Sequence, residues 1–307
     1  MSNKPTTIDL TKIKPLTWTV QTKYNASSII TYNLALGASG TDLSLCFEGH
    51  PSFHALPTFG TLPVISAMGA VTKSMPDFLP SFQSHNHVHG EHYLELKRPF
   101  PIPKPGEEVT LETTAKVLEV VDRRSGVTVC VAITTSDAAT GSEICYNEWT
   151  SFILRVPGAG AATHSLDRGA MSKIYPSPDR KPNAVREFRT SPEQGALYRA
   201  ASGDLNALHI DPEVAKKGGF PGPILTGTAT LGVGVRHVLE AFADGDAGRF
   251  KGMKVRLSKP VFPGDVVRTE MWREEGGRVV RYRQCVGDER VVMKDAAVFL
   301  HEGKANL

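Results

Sequence analysis

The sequence has few cysteines, few aromatic residues and no long apolar run, features that by themselves would indicate a particular class of protein. Among its 307 residues only four are cysteines and 7% are aromatic. No uninterrupted apolar run approaches the roughly 18 residues of a membrane span. The first residues, MSNKPTTIDLTKIKP, have no apolar core, so we expect no secretory signal there. The cysteines (Cys46, Cys130, Cys145 and Cys285) show no CxxC spacing. They are therefore predicted to be small buried side chains in a reducing compartment, not a disulfide framework.

An excess of charge of one sign is also missing. The formal charge is +3, from 35 basic and 32 acidic residues, which gives no general reason to expect nucleic acid binding. The second half is the more basic, with 23 Lys/Arg against 18 Asp/Glu over residues 156–307, a small excess that would suit an anionic ligand. The sequence contains no GxxxxGK[ST] phosphate loop and no GxSxG nucleophile elbow. With 40% hydrophobic and 22% charged residues, the composition is that of an ordinary globular chain of two units or one double-sized unit.

A weak internal repeat organises the chain. Residues 97–120, KRPFPIPKPGEEVTLETTAKVLEV, combine an aromatic-proline turn with a long alternating segment, and residues 258–276, SKPVFPGDVVRTEMWREEG, do the same. Further alternating segments rich in Val, Ile, Thr and Tyr follow each copy and are broken by Thr-Gly or Gly-Asp turns. This pattern predicts an antiparallel meander in each half.

One long apolar helix precedes each meander. We predict these helices over Pro57–Lys73, where Pro63 requires an early kink or a later start, and over Pro223–Ala243. Both are rich in glycine, and a glycine inside a helix costs about 1 kcal/mol relative to alanine, so close packing must compensate. The predicted fold class is α+β, a helix wrapped by a curved antiparallel sheet, made twice. Two copies side by side would form one continuous sheet and remove an exposed edge. We place the N-terminal half at residues 1–156, a linker at 157–182 and the C-terminal half at 183–307.

The segment from Tyr198 to Gly232, YRAASGDLNALHIDPEVAKKGGFPGPILTGTATLG, carries the candidate chemistry. Ser191-Pro192-Glu193 has the form of a helix N-cap, a proline at the first helical position and an early acid, and that helix is predicted to end near Gly203. Asp204, Asn206 and His209 then lie in a short irregular segment. Asp211-Pro212 is predicted to cap a short helix that ends at Gly218-Gly219. Gly222-Pro223 opens the long helix, with Thr226 and Gly227 in its first turns.

These residues place an acid, an amide and an imidazole beside a helix N-terminus. A carboxylate and an imidazole separated by one water molecule can give and take protons in a single step. A glycine N–H at a helix start can stabilise an oxyanion, because no side chain blocks the approach. The spacing alone leaves a structural alternative open, in which Asp204 forms a turn and His209 is a satisfied core residue.

The same segment strongly resembles the hydratase 2 signature of the MaoC-like double hot-dog enoyl-CoA hydratases, a family that includes the hydratase portions of peroxisomal multifunctional enzymes. The family pattern Tyr-Arg-x-Ser-Gly-Asp-x-Asn-Pro-Leu-His-Ile-Asp-Pro is matched by YRAASGDLNALHIDP, with Ala207 in place of proline. The family's Ile-Leu-His-Gly is represented by Ile224-Leu225-Thr226-Gly227, so a histidine is also replaced. The likeness extends through YNLALGASGTDLSLCFEGHPSFHALPTF and SHNHVHGEHYLELKRPFP, and so covers nearly the whole chain.

This resemblance implies a fold, a reaction and roles for four residues. The fold is a double hot-dog, in which the N-terminal half holds the acyl tail without catalysing. Asp204 and His209 would hold the catalytic water as an acid-base pair, Asn206 would orient them, and the Gly227 N–H would stabilise the thioester enolate. The implied reaction is reversible hydration of a trans-2-enoyl-CoA to the (3R)-3-hydroxyacyl-CoA in fatty acyl-CoA metabolism. No metal or redox cofactor enters this chemistry.

Several alternatives stay open at this point. A pathway-specific dehydratase of a biosynthetic acyl-CoA, a hot-dog thioesterase and a non-catalytic acyl-CoA-binding protein are the rival functions. His85, His87 and His89 would share one face of a strand, with His92 just beyond, as metal ligands would. Asp42 and Glu48-Gly49-His50 form a second acid-histidine candidate. Coenzyme A phosphates are candidate partners of the basic side chains Lys216, Lys217, Arg249, Lys251, Lys254 and Arg256.

The remaining expectations concern partners and location. An acyl-CoA thioester is the expected substrate, with no nucleic acid and no membrane as partners, and the chain is expected to be a homodimer. The last residues, Lys304-Ala305-Asn306-Leu307, resemble in variant form the small-basic-leucine peroxisomal address. We therefore expect a peroxisomal import receptor as a partner and a peroxisomal location, the alternative being the cytoplasm.

Overall fold

The computed structural model describes residues 5–274 and 276–302. Its helices are α1 (Leu10–Ile13), α2 (Ala26–Ala35), α3 (Leu43–Cys46), α4 (Leu62–Ser74), α5 (Gln194–Ser202), α6 (Pro212–Lys217) and α7 (Gly227–Phe242). Its strands are β1 (Thr17–Tyr24), β2 (His87–Leu96), β3 (Val109–Arg123), β4 (Gly126–Asp137), β5 (Glu143–Leu154), β6 (Ala184–Arg189), β7 (Phe250–Leu257), β8 (Val266–Arg273), β9 (Val279–Val286) and β10 (Arg290–Leu300). None of these helices is both long and apolar enough to cross a membrane.

All ten strands form one sheet in the order β1-β3-β4-β5-β2-β7-β10-β9-β8-β6. Every pairing of neighbouring strands is antiparallel. The five strands of each half are contiguous, and β2 joins β7 between the pairs Glu91–Arg256 and Glu95–Gly252. The prediction of an α+β fold with one continuous antiparallel sheet is confirmed. The assignment of residues 1–156, 157–182 and 183–307 as half, linker and half stays a prediction.

The long helix α4 begins at the later of the two predicted places, and α7 begins later than predicted. Residues Pro57–Thr61 form a 3₁₀ turn, and α4 starts at Leu62 with Pro63 in its first turn, where the missing N–H of proline costs no hydrogen bond. The prediction that α7 opens at Gly222-Pro223 is wrong, because Thr226 is its N-cap and Gly227 its first residue. The long α7 therefore presents its first N–H groups next to the loop that carries Asp204 and His209.

Close packing explains the glycines of α7 but not that of α4. A Cβ atom on Gly232 would lie 2.6 Å from Leu36 Cδ1, and one on Gly234 would lie 2.7 Å from Tyr282 Cε2. These glycines let α2 and the sheet approach α7 closely. Gly69 in α4 is exposed, and a Cβ atom there would meet nothing within 4 Å. The prediction that close packing compensates the cost of helical glycine is therefore correct for α7 and wrong for Gly69 of α4.

The hydrophobic core runs across both halves. Tyr32 of α2 and Leu36, the C-cap of that helix, are buried in one cluster with Val235 of α7 and Tyr282 of β9. The C-terminal carbonyl groups of α2 accept hydrogen bonds from the other half: Gln194 Nε2 donates to Ala35 O at 2.5 Å, and Arg236 Nε donates to Leu36 O at 2.9 Å. Residues of the second half thus satisfy backbone acceptors that the end of α2 would otherwise leave unpaired.

The segment 157–182 is attached to the first half by Arg168, whose side chain is 14% exposed. Arg168 Nε lies 3.0 Å from Glu148 Oε2, and Arg168 Nη1 lies 3.0 Å from Glu119 Oε1. The two glutamate side chains are 1% and 8% exposed, and Leu166 N donates to Glu119 Oε2 at 2.7 Å. Because buried carboxylates need a partner, Arg168 fixes this segment against β3 and β5.

Candidate active site

The loop between α5 and α6 carries Asp204, Asn206 and His209. Helix α5 ends at Ser202, and Gly203 adopts the left-handed conformation (φ 67°) that turns the chain into the loop, as the sequence predicted. The prediction of Ser191 as N-cap is wrong, because α5 begins at Gln194. The Ser191 hydroxyl makes no hydrogen bond within the described residues, and the Gln194 side chain accepts from Ser191 N instead.

Hydrogen bonds inside the loop hold it in one shape. Asn206 N donates to Asp204 Oδ1 at 2.9 Å, and Leu208 N donates to Asn206 Oδ1 at 3.1 Å. The second bond caps a 3₁₀ turn over Ala207–His209, so Asn206 acts on His209 through the backbone. Its side chain is exposed and directed into this cap. Asp211 then caps α6 as predicted, accepting from Glu213 N at 2.8 Å.

Arg199 adds a contact to which the sequence had given no role. Its Nη1 donates to the backbone oxygen of Asp204 at 2.6 Å and lies 3.5 Å from that of Asn206. The signal was present in the sequence, since Arg199 follows Tyr198 in the segment already singled out. Spacing alone could not show that a helix side chain folds back onto carbonyl groups five and seven residues ahead.

The side chains of Asp204 and His209 face each other. His209 Nε2 lies 3.6 Å from Asp204 Oδ2, and the two side chains are only 12% and 14% exposed. His209 Nδ1 lies 2.8 Å from the backbone oxygen of Ile224, an acceptor, so Nδ1 carries the proton. In the neutral ring Nε2 is then a free acceptor directed at Asp204. At 3.6 Å the two atoms are too far apart for a good direct hydrogen bond and near enough to share one water molecule.

Gly227 lies at the N-terminus of α7 beside this pair. Its N–H has no hydrogen-bond partner within residues 5–274 and 276–302, and it is the first donor of the helix. A Cβ atom there would lie 2.0 Å from Leu257 Cδ2, so only glycine fits without a shift of Leu257. Thr226 Oγ1 lies 3.5 Å from Asp204 Oδ2, which ties the helix start to the acid. The structure therefore brings Asp204, His209 and Gly227 together, with Asn206 holding the turn between them.

An open cleft of about 480 Å³ leads to this site. It reaches His209, but Asp204 does not line it. Its wall consists of Pro192, Gly195, Ala196, His209, Ile210, Pro221, Gly222, Pro223, Phe262 and Pro263. The mostly apolar wall suits the carbon chain of a ligand better than a charged group.

The alternative candidates do not come together. Asp42 caps α3, where Ser44 N donates to its side chain at 3.2 Å, and His50 Nδ1 accepts from Ser52 N, so no acid-histidine pair forms there. His85 lies in a 3₁₀ turn before β2, so the prediction that it shares a strand face with His87 and His89 is wrong. In the described part of the chain, no group of three or more His, Cys, Asp or Glu residues could hold a metal ion.

Four of the basic side chains considered for coenzyme A phosphates have partners in the described part of the chain. Lys216 pairs with Glu213, Arg249 donates to His301 O, and Lys254 and Arg256 both lie beside Glu91. Lys254 Nζ forms an ion pair with Glu91 Oε2 at 2.7 Å, and its side chain is only 5% exposed. This pair links β7 to β2, between the two halves. Cys130, Cys145 and Cys285 are buried and Cys46 is partly buried, all as free thiols.

Two family models match the chain, one in each half. The model described as the MFE-2 hydratase 2 N-terminal domain matches residues 22–155. The model described as a MaoC like domain matches residues 173–295. The candidate loop and Gly227 lie within the second match.

Curated relatives cover most of the chain. A probable enoyl-CoA hydratase 2 of Dictyostelium discoideum is 35% identical over 85% of this chain and 84% of its own length. A peroxisomal hydratase-dehydrogenase-epimerase of Neurospora crassa is 41% identical over 90% of this chain and 30% of its own. The chain thus spans less than half the length of several multifunctional relatives, among them the peroxisomal multifunctional enzyme type 2 of Mus musculus, of which 34% is covered.

Solved structures give the same result at the level of the fold. The crystal structure of a MaoC-like dehydratase from Phytophthora capsici has a TM-score of 0.81, with 30% identity over 97% of this chain and 100% of that one. The full-length peroxisomal multifunctional enzyme type 2 of Drosophila melanogaster has a TM-score of 0.78 and 34% identity over 93% of this chain. These likenesses confirm the double hot-dog architecture. The chain belongs to the MaoC-like family, in the double form whose first half is of the hydratase 2 N-terminal type.

Proposed function

We propose that the chain is a hydro-lyase that adds water reversibly to trans-2-enoyl-CoA and forms the (3R)-3-hydroxyacyl-CoA. The observation that carries this proposal is the separation of 3.6 Å between His209 Nε2 and Asp204 Oδ2, beside the free N–H of Gly227. The relatives that the chain covers over most of their own length are named enoyl-CoA hydratase 2 and 3-hydroxyacyl-thioester dehydratase. These names support the same reaction in its two directions.

The proposed mechanism begins with a water molecule between the two side chains. The water donates one hydrogen bond to the Asp204 carboxylate and one to His209 Nε2, whose lone pair is available because Nδ1–H is bound to Ile224 O. As the water oxygen forms a bond to C3 of the enoyl group, His209 takes its proton. His209 then returns that proton to C2, so one O–H bond is broken and one C–H bond is formed. The ring ends neutral, as it began.

Negative charge develops on the thioester oxygen while C3 is attacked. The Gly227 N–H donates to this oxygen, and the positive end of the α7 dipole adds a favourable electrostatic contribution. Removing one such donor from an oxyanion site costs about 10²–10³ in rate in other enzymes, so we expect this N–H to contribute a factor of that order. Asn206 contributes by capping the turn that presents His209.

We further propose that the chain acts on fatty acyl-CoA in peroxisomes. Several relatives are named peroxisomal, which supports this location. The predicted address at Lys304–Leu307 lies outside the described residues, and the import receptor and the homodimer stay predictions. A fluorescent protein carrying the last residues of the chain tests the address: peroxisomal fluorescence that is lost on removing Leu307 supports it, whereas diffuse fluorescence contradicts it.

The experiment that tests the reaction is incubation of the purified chain with crotonyl-CoA and decenoyl-CoA. We expect loss of the enoyl absorbance and a hydroxyacyl product of (3R) configuration, identified by chiral chromatography. A (3S) product would overturn the assignment even if hydration occurred. Release of free thiol, followed with a chromogenic disulfide, would instead identify a thioesterase. Binding of the thioester with no change in absorbance would identify an acyl-CoA-binding protein.

A further inference from the structure

A histidine of the first half reaches the candidate active site of the second half. His89 lies on β2, and its Nδ1 is 3.9 Å from the position that a Cβ atom would take on Gly227. The β-bulge after His89 shifts the register of β2 against β5. The ring of His89 stacks on Trp149, with a centroid distance of 3.4 Å and an interplanar angle of 8°. The imidazole is therefore held rigidly beside the N–H proposed to bind the thioester oxygen.

A chain of hydrogen bonds fixes which nitrogen of His89 carries the proton. Asn147 Nδ2 lies 3.3 Å from the backbone oxygen of Gly60, so Asn147 Oδ1 faces His92 Nε2, at 2.8 Å. His92 Nε2 must then be the donor, and its Nδ1 an acceptor, provided the ring is neutral. His92 is fully buried, and burial lowers its pKa to about 4. The ring is thus neutral near pH 7.

The same reasoning extends one step to His89. His89 Nε2 lies 3.3 Å from His92 Nδ1, so Nε2 carries the proton that this bond needs. Burial lowers the pKa of His89 well below its ordinary value, which keeps the ring neutral as well. Its Nδ1 is then a hydrogen-bond acceptor without a partner in the described part of the chain, and it is located next to Gly227. An acceptor in that place is complementary to a donor on a ligand.

We propose that His89 is a substrate-binding residue whose Nδ1 accepts a hydrogen bond from an N–H donor close to the thioester. This inference rests on the proposed function, since it takes the thioester oxygen to lie at the Gly227 N–H. The donor that a CoA substrate offers near that oxygen is the amide N–H two carbons beyond the sulfur. The added water is not available as a donor, because both of its hydrogens are bound to Asp204 and His209.

The test compares two crotonyl thioesters in wild type and His89→Gln. Crotonyl-CoA carries the amide, and S-propyl crotonothioate lacks it. The glutamine side chain can replace the bond to His92 but presents no acceptor at the Nδ1 position. We expect kcat/KM for crotonyl-CoA to fall about 10–100-fold, the effect of leaving one buried hydrogen-bonding group unpaired. If His89→Gln does not fold, His89→Phe takes its place in the test. The phenylalanine ring keeps the stacking on Trp149 and removes both ring nitrogens.

The control is His87→Gln, two residues earlier on the same strand. His87 Nε2 bonds the Ser151 hydroxyl, and the glutamine can keep that bond, so kcat/KM should stay unchanged. A loss in His89→Gln that disappears with S-propyl crotonothioate identifies the amide as the donor. An equal loss with both thioesters shows that His89 does not bind the amide and overturns the proposal. Unchanged kcat/KM of His89→Gln with crotonyl-CoA overturns the proposal.

A binding measurement separates this inference from the proposed reaction. If the wild type hydrates no thioester, the proposed function fails, and (3R)-3-hydroxybutyryl-CoA becomes a stable ligand that carries the amide donor. Calorimetry with this ligand should then show a Kd about 10-fold or more higher for His89→Gln than for wild type. An equal Kd, or no binding by the wild type, would overturn the role of His89.

Discussion

At the scale of single residues, the candidate site depends on the protonation pattern of one imidazole. The bond from His209 Nδ1 to Ile224 O sets the tautomer, and the turn capped by Asn206 sets the direction of the ring. The sequence predicted which residue types would meet. It could not predict the tautomer, because the acceptor is a backbone oxygen 15 residues further along the chain. The contacts of Arg199 and His89 could not be predicted either, because their partners are distant in sequence or are backbone atoms.

Replacing either member of the acid-base pair should remove most of the activity. We expect Asp204→Asn or His209→Gln to lower kcat for crotonyl-CoA by roughly 10²–10⁴. The first variant loses the carboxylate that holds the water and stabilises the protonated ring, and the second loses the group that transfers the proton. Circular dichroism should show an unchanged fold. Asp211→Asn is the matched control: Asp211 only caps α6, asparagine caps as well as aspartate does, and kcat should be retained. Near-normal turnover in both site variants would remove Asp204 and His209 from the mechanism.

At the scale of elements, the sequence predicted the meanders well and the helix boundaries poorly. The alternating segments became β3, β4, β5, β8, β9 and β10. Strand alternation is a local signal, whereas the start of α7 depends on where the first turn can pack. Pro223 looks like a helix start, but Leu225 N donates to Val261 O and keeps that segment outside the helix. Strands β2 and β7 were not predicted as the junction of the halves, because their pairing is set by tertiary contacts.

The two kinds of helical glycine should respond oppositely to alanine. Gly232→Ala places a methyl group 2.6 Å from Leu36 Cδ1 and should destabilise the fold by about 1–3 kcal/mol through overpacking. Gly69→Ala meets no atom within 4 Å and should stabilise α4 by about 0.5–1 kcal/mol. Urea unfolding of both variants measures the difference. Equal effects would show that the contact between α2 and α7 does not require glycine.

At the scale of the whole molecule, buried neutral histidines couple stability to pH. Burial lowers the pKa of His87 and His92 to about 4 and that of His237, which bonds Thr269 Oγ1, to about 3. The ordinary value is 6.5, so the unfolded chain binds protons first as the pH falls. The stability contributed by these neutral rings is complete above about pH 6.5 and is lost as the pH falls towards 4.

We expect the free energy of unfolding to decrease between pH 6.5 and pH 4. Each of these histidines adds a slope of about 1.4 kcal/mol per pH unit. His237→Gln lies outside the candidate site and should reduce the slope by that amount, with little change in kcat. Urea unfolding at several pH values measures the slope. The same slope in wild type and His237→Gln would show that His237 is not held neutral in the folded chain.

The arginine that fastens residues 157–182 has a consequence for separating the molecule into two polypeptides. Arg168 belongs by sequence to the connecting segment, yet it neutralises Glu119 and Glu148 of the first half. A chain opened after Lys181 leaves the first fragment with its own counter-ion. If the chain is opened at Gly158, Arg168 belongs to the second fragment, and the first fragment retains the buried carboxylates of Glu119 and Glu148 without a counter-ion. Fragment complementation is therefore expected to succeed more readily when the chain is opened after Lys181 than when it is opened at Gly158.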